Sequence, residues 1–133
     1  MGGDEPKPYT GSGGDDPVLT DLLGSAYRAE GRNAEAEACW KKAAESDPKL
    51  FRPWLNLGAL ALANNRPAEA VAYLEKAHAL GPGDLEPVYL LGVAYARAGR
   101  PADAQRFRTK AEEIRRRIAA ESRAKRKAPG QTL

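Results

Sequence analysis

The chain has 133 residues, of which 42% are hydrophobic and 29% charged, and its formal net charge is +3. A chain of this length normally makes one domain, and the absence of Val, Ile and Thr runs argues against a β-sheet. There is no run of 18 apolar residues, which predicts no membrane-spanning helix, and a lone cysteine, Cys39, excludes an internal disulfide. The composition therefore favours an all-α fold.

The charge is distributed unevenly along the chain. Residues 1–16 carry four acidic and one basic side chain, residues 17–104 eleven acidic and ten basic, and residues 105–133 three acidic and ten basic. The first segment is polar and has no apolar centre of the kind found in secretory signals. We expect residues 1–16 to be a flexible acidic segment. A bacterial cytoplasmic location is expected, with the periplasm as the alternative if a signal was removed.

The first predicted unit covers residues 17–50. Apolar residues around Leu23 follow helical spacing, and Gly31 can adopt the positive φ that commonly follows the end of a helix. A second helix is predicted from about Asn33 to Ser46, because Pro48 disfavours helix in the residue before it. The pattern predicts a helical hairpin.

This hairpin pattern recurs at a spacing of 34 residues. Such a spacing is a signature of helical repeats, and it predicts further units at 51–84 and 85–118. The recurring positions are Leu23-Gly24, Leu57-Gly58 and Leu91-Gly92; Ala36, Ala70 and Ala104; Ala43, Ala77 and Ala111; Gly31, Asn65 and Gly99; and Pro48 with Pro82.

A glycine in the middle of each first helix requires a packing explanation. In a helix interior, glycine costs about 1 kcal/mol relative to alanine. We expect the second helix of each unit to approach closely there through an alanine, with larger side chains filling the surrounding space. The glycines are Gly24, Gly58 and Gly92, the alanines Ala36, Ala70 and Ala104, and the larger side chains Tyr27, Trp40, Trp54, Leu74 and Tyr95.

The units resemble tetratricopeptide repeats, whose pattern begins W-x2-L-G-x2-Y and continues with spaced alanines, an aromatic residue and a proline. The third unit departs from it at Val88, Arg108 and Arg116. The resemblance covers residues 17–118 and implies a right-handed solenoid of three helix-turn-helix repeats, with a concave groove that holds peptides or partner proteins. The best-matching residues are Trp54, Leu57, Gly58, Ala70, Leu74, Ala77 and Pro82.

The stripe of each first helix opposite its packing stripe should face that groove. In the second and third units this stripe is apolar, and apolar surface that survives folding usually marks an interaction site. The expected ligand is an apolar or amphipathic segment of a partner protein. The alternative is that Leu55, Leu62 and Val93 are buried against neighbouring repeats or against a folded-back tail. The predicted groove residues are Arg28, Arg52, Leu55, Ala59, Leu62, Tyr89, Val93 and Arg97.

The resemblance does not extend to the repeats that grip the C-terminal carboxylates of chaperones. Those repeats use a basic residue and an asparagine in the first groove helix, where this chain has Asp21 and Ser25. Asn56 matches a further asparagine that is common in the family. A carboxylate clamp of that type is therefore not expected.

The last helix is predicted to continue past the repeat, to about Lys127. It has one narrow apolar seam, formed by Phe107, Ala111, Ile114 and Ile118. We interpret it as a polar capping helix, which passes into a basic extension over residues 119–133. The alternative is binding of nucleic acid or an anionic membrane through Arg115, Arg116, Arg117, Arg123, Lys125, Arg126 and Lys127.

No catalytic, metal or cofactor site is predicted. His78 is the sole histidine and has only Glu75 one helical turn away, which is more typical of a surface pair than of a metal site. Cys39 beside Trp40 is interpreted as a small packing residue. The prediction is a non-enzymatic scaffold that supports complex assembly, with self-association through the groove as a further alternative.

Overall fold

The computed structural model describes residues 16–127; the rest of the predicted acidic segment (1–15) and of the basic tail (128–133) lie outside the described residues. The described part contains six α-helices and no strand, which confirms the all-α prediction. None of these helices is both long and apolar enough to cross a membrane. The helices are α1 (Pro17–Ala29), α2 (Asn33–Ser46), α3 (Phe51–Ala63), α4 (Pro67–Leu80), α5 (Leu85–Arg97) and α6 (Pro101–Arg126).

The helices pack as three consecutive hairpins. Helix α1 packs on α2, α3 on α4, and α5 on α6, while α2–α3 and α4–α5 contacts join one hairpin to the next. The hairpins begin within the predicted units 17–50, 51–84 and 85–118, and α6 runs beyond the last of them. The predicted solenoid of helical hairpins is confirmed.

Each hairpin turn uses a residue with positive φ. These residues are Gly31 (φ 80°), Asn65 (φ 58°) and Gly99 (φ 78°), the three positions that the 34-residue spacing aligned. In the second turn, the backbone N–H of Arg66 donates to the carbonyl of Ala61 at 2.8 Å, which ties the end of α3 to the start of α4. The helix ends therefore follow from local turn chemistry.

In the first two units, the atoms nearest to a Cβ built on the mid-helix glycine belong to a large side chain of the second helix and not to its alanine. A Cβ on Gly24 would lie 2.6 Å from Nε1 of Trp40, and one on Gly58 would lie 2.5 Å from Cδ2 of Leu74. At Gly92 the nearest atom would be the Ala104 carbonyl oxygen, at 3.7 Å. The first two glycines are therefore required by packing, and Gly92 is not.

The core is continuous through the second and third hairpins but incomplete at the first. Leu57 is buried in a cluster with Trp40, and Leu91 is buried in the larger cluster of the second and third hairpins. Leu23, which was expected to pack like these two, is 49% exposed. The reason is that, in the described residues, no second helix precedes α1 to cover it.

Candidate functional site

The first helices of the hairpins, α1, α3 and α5, lie side by side. Asn56 of α3 donates from Nδ2 to Oδ1 of Asp21 in α1 at 2.9 Å. Arg97 of α5 donates from Nη1 to the backbone carbonyl of Leu62 in α3 at 3.2 Å. These contacts hold together what we call the first-helix face, defined by Arg28, Arg52, Ala59, Tyr89, Val93 and Arg97.

These six side chains reach solvent to different degrees. Arg52, Tyr89 and Arg97 are exposed, whereas Ala59 and Val93 are partly buried. Arg28, also partly buried, lies in the last turn of α1. The face therefore presents guanidinium groups around a shallow apolar floor.

The expected surface positions of Leu55 and Leu62 are wrong. Leu55 is 2% exposed and Leu62 7% exposed, and both belong to the core cluster that contains Val88 and Leu91. Helical spacing assigned them to the correct side of α3, but α5 packs against that side and covers them. The alternative of burial against a neighbouring repeat is correct for these two residues, and Val93 is only partly covered.

The electrostatics of the face are dominated by arginine. Asp21 is buried, and burial raises the pKa of its carboxyl above 3.8, while the hydrogen bond from Asn56 and the charge of Arg52 act in the opposite direction. Its carboxylate accepts the hydrogen bond from Asn56 and so belongs to the contact between α1 and α3. Glu86 is the exposed acidic residue in the corresponding stripe of α5. The face suits a ligand that carries negative charge.

A cavity of 260 Å³ opens where α5 meets α6, and it was not predicted. Two of its lining residues contact each other: the Arg115 guanidinium lies over the Tyr89 ring, 5.9 Å from the ring centre. Arg108, which stands where an aromatic residue was expected, is exposed and lines the cavity. That departure from the repeat pattern was the sequence signal for it. The lining residues are Tyr89, Gly92, Val93, Arg108, Ala111, Glu112 and Arg115.

Helix α6 continues past the third unit to Arg126, and residues 115–127 are exposed throughout. This stretch carries seven basic side chains and one acidic one. The apolar seam of α6 is buried at Phe107, Ala111 and Ile114, but Ile118 is exposed. The seam is therefore one turn shorter than expected.

His78 and Cys39 both occupy packing positions. The His78 ring stands edge-on to Phe107, with 5.6 Å between ring centres, and burial, aided by Lys110, lowers its pKa below 6.5. Burial raises the pKa of the Cys39 thiol, which disfavours the reactive thiolate. Among residues 16–127, no group of three or more histidine, cysteine or acidic side chains could hold a metal ion.

Two family models, each described as a tetratricopeptide repeat, match residues 22–84 and 61–116. Together they cover residues 22–116, which include parts of all three hairpins. Among the curated proteins, none matched in the sequence comparison.

Solved structures of repeat proteins share the fold. A crystal structure of MamA has a TM-score of 0.76 at 20% identity over 80% of this chain, which spans 63% of the MamA chain. The N-terminal domain of stress-induced protein-1 from C. elegans has a TM-score of 0.68 at 21% identity, covering 76% of this chain and 85% of that one. The second repeat domain of Spaghetti (RPAP3), bound to the HSP90 peptide SRMEEVD, has a TM-score of 0.72 at 15% identity, covering 84% and 97%.

Proposed function

The chain belongs to the tetratricopeptide repeat family, and on that basis we propose that it is a non-catalytic scaffold that holds a segment of a partner protein on its first-helix face. The main support for this proposal is that the first-helix face runs without a break across α1, α3 and α5. Three first helices are joined edge to edge by the Asn56–Asp21 and Arg97–Leu62 hydrogen bonds. A peptide can therefore contact all three repeats at once.

The chemistry of the face narrows the ligand to an amphipathic segment with acidic side chains. Arginine guanidinium groups form bidentate hydrogen bonds with carboxylates, and Arg28, Arg52 and Arg97 supply three of them. Ala59 and Val93 supply apolar contact between them. The acidic side chains of the ligand would meet the arginines and its apolar side chains the floor.

The peptide-bound Spaghetti structure supports this proposal only in general terms. It contains an acidic peptide on a fold that this chain shares. This chain lacks the residues of a carboxylate clamp, because Asp21 and Ser25 stand in place of the basic residue and the asparagine. The acidic residues of the ligand would bind the arginines and need not be at its C-terminus.

Peptide display tests the proposal, with a charge-matched control. The baits are the wild type, Arg28→Gln/Arg52→Gln and Arg117→Gln/Arg123→Gln, so that each variant loses two positive charges. We expect acidic amphipathic peptides to be enriched by the wild type and the control and lost with the first variant. Equal enrichment by all three baits would contradict the proposed site.

A second candidate function rests on the exposed basic stretch 115–127. Its seven basic side chains could bind nucleic acid or an anionic membrane through phosphate contacts. The same two variants distinguish it: loss of binding only with Arg117→Gln/Arg123→Gln, at low salt, would move the function to this stretch.

We place the scaffold in the bacterial cytoplasm as part of the proposal.

A further inference from the structure

Helix α1 exposes an apolar face at the N-terminal end of the solenoid. Leu22 is 58% exposed, and Val18, Leu19 and Leu23 are also exposed. A cluster of exposed apolar side chains such as this one often marks an interaction surface. The corresponding stripe of α3 is covered, because Leu57 packs with Trp40 of the preceding hairpin. Helix α1 therefore exposes the apolar stripe that, in α3, packs against the preceding hairpin.

At the C-terminal end of the solenoid, the surface of α5 and α6 that would contact a following hairpin is exposed. In the first two hairpins, Trp40 and Leu74 are buried, whereas Arg108, at the same position of the third, is exposed beside the 260 Å³ cavity. Tyr89, which is 50% exposed, corresponds by the 34-residue spacing to the buried Leu55. This end offers the surface on which the first helix of a further hairpin would pack.

The contacts between neighbouring hairpins of one chain identify the residues that would meet between two chains. Each residue of an internal contact is replaced by its equivalent at the 34-residue spacing, in the last hairpin of one copy or the first hairpin of the next. The Asn56–Asp21 contact becomes Leu22 of one copy against the Tyr89 ring of another. The bond from the Tyr95 hydroxyl to Glu75 becomes Tyr27 against Thr109, two hydroxyl groups that can hydrogen-bond.

The charges at this junction are also complementary. Residues 1–16, at the α1 end, carry four acidic side chains and one basic one, and residues 115–127, at the α6 end, carry seven basic side chains and one acidic one. Opposite charges at the two ends favour head-to-tail contact over contact between two like ends.

We propose that the chain associates with a second copy head to tail, with α1 of one copy docked on α5 and α6 of the next. Residues 1–15 contain five glycines, two prolines and, as large apolar residues, Met1 and Tyr9, so their composition offers few apolar side chains for packing on α1. Continuity with the internal junctions and the charge match favour the C-terminal end of another copy. Such a heterologous contact produces open chains or closed rings.

Sedimentation velocity with two end variants tests this arrangement. Leu22→Glu blocks the α1 end, and Tyr89→Glu blocks the α5–α6 end. Both residues are exposed, so each variant should keep the wild-type helical circular dichroism spectrum. Leu80→Glu, an exposed apolar residue of α4 outside both ends, serves as the matched control. The proteins are compared from micromolar to millimolar concentration.

We expect wild type and the Leu80→Glu control to form concentration-dependent oligomers and each end variant to be monomeric. A mixture of the two end variants should form dimers and nothing larger, because one intact junction remains. A monomeric wild type at millimolar concentration would overturn the proposal. Undiminished association of Tyr89→Glu would also overturn it, since that result indicates pairing of two α1 faces. Failure of the mixture to dimerise would equally contradict it.

Discussion

Asn56 of α3 donates a 2.9 Å hydrogen bond to the Asp21 carboxylate of α1, and this contact joins the first two repeats. The backbone carbonyl of Asp21 also accepts a hydrogen bond from Nε1 of Trp40, at 3.1 Å. Asp21 thus links its own hairpin and the next. The buried carboxyl is therefore a structural group and is not part of the exposed surface of the first-helix face.

Removing the amide of Asn56 should destabilise the fold. In Asn56→Ala the Asp21 carboxyl remains buried without this donor, which costs about 1–3 kcal/mol of unfolding free energy. Asp21→Asn is the matched variant, because its amide oxygen can still accept the bond while the charge is absent. Urea unfolding at neutral pH measures both. Equal destabilisation by the two variants would contradict this account of the pair.

The raised pKa of Asp21 predicts a specific pH dependence. The folded state favours the protonated carboxyl, so its contribution to stability is complete below pH 3.8 and is lost as the pH rises through the raised pKa. Asp21→Asn has no such proton. The wild type should therefore lose stability relative to Asp21→Asn across this window in thermal unfolding. A constant difference between the two proteins would show that the pKa is not raised.

The two mid-helix glycines Gly58 and Gly92 should respond in opposite ways to alanine. Gly58→Ala places a methyl group against Leu74 and should cost about 1–3 kcal/mol. Gly92→Ala meets no atom closer than 3.7 Å and should gain up to about 1 kcal/mol from helix propensity. Urea unfolding at micromolar concentration compares them. Destabilisation of similar size in both variants would refute the packing explanation.

His78 should titrate below its ordinary pKa of 6.5, because burial disfavours the charged ring and Lys110 adds repulsion. The neutral ring contributes stability that is present above pH 6.5 and lost as the pH falls through the lowered pKa. As the sole histidine, it gives an unambiguous NMR titration. A midpoint at or above pH 6.5 would contradict the partly buried position of the His78 ring against Phe107.

The Tyr95 hydroxyl should stabilise the contact between the second and third hairpins, because it donates a hydrogen bond to Glu75 of α4. Burial first, and then the bond to Glu75, raise its pKa to about 12, so the contribution is complete below pH 10 and is lost as the pH rises through about 12. Tyr95→Phe keeps the ring stacked on Phe107 but loses this bond. The wild type should be more stable at pH 8, and its advantage should shrink above pH 10 in thermal unfolding. An advantage independent of pH would count against the hydroxyl.

Local features of the fold could be predicted from the sequence because they depend on short-range chemistry. The positive φ at Gly31, Asn65 and Gly99 follows from turn residues at a constant spacing. The second helix of the first unit has the predicted bounds, Asn33 to Ser46, since Pro48 limits it. These features need no knowledge of neighbouring helices.

The candidate site was predicted less completely, because helical spacing gives the side of a helix and not what covers it. Leu55 and Leu62 were assigned to the open groove but are buried under α5. Leu23 was assigned to the core but is exposed, although it shares its pattern with Leu57 and Leu91. In the described residues no second helix precedes α1, so Leu23 lacks the cover that Trp40 gives Leu57.

Binding of a partner segment to the first-helix face can be measured by equilibrium titration. Fluorescence anisotropy of a display-selected acidic peptide would be measured with the wild type, Arg28→Gln/Arg52→Gln and Arg117→Gln/Arg123→Gln. The account predicts a dissociation constant at least about tenfold weaker for the first variant, roughly 1.4 kcal/mol, and little change for the second. Unchanged affinity of the first variant, with loss only in the second, would contradict it.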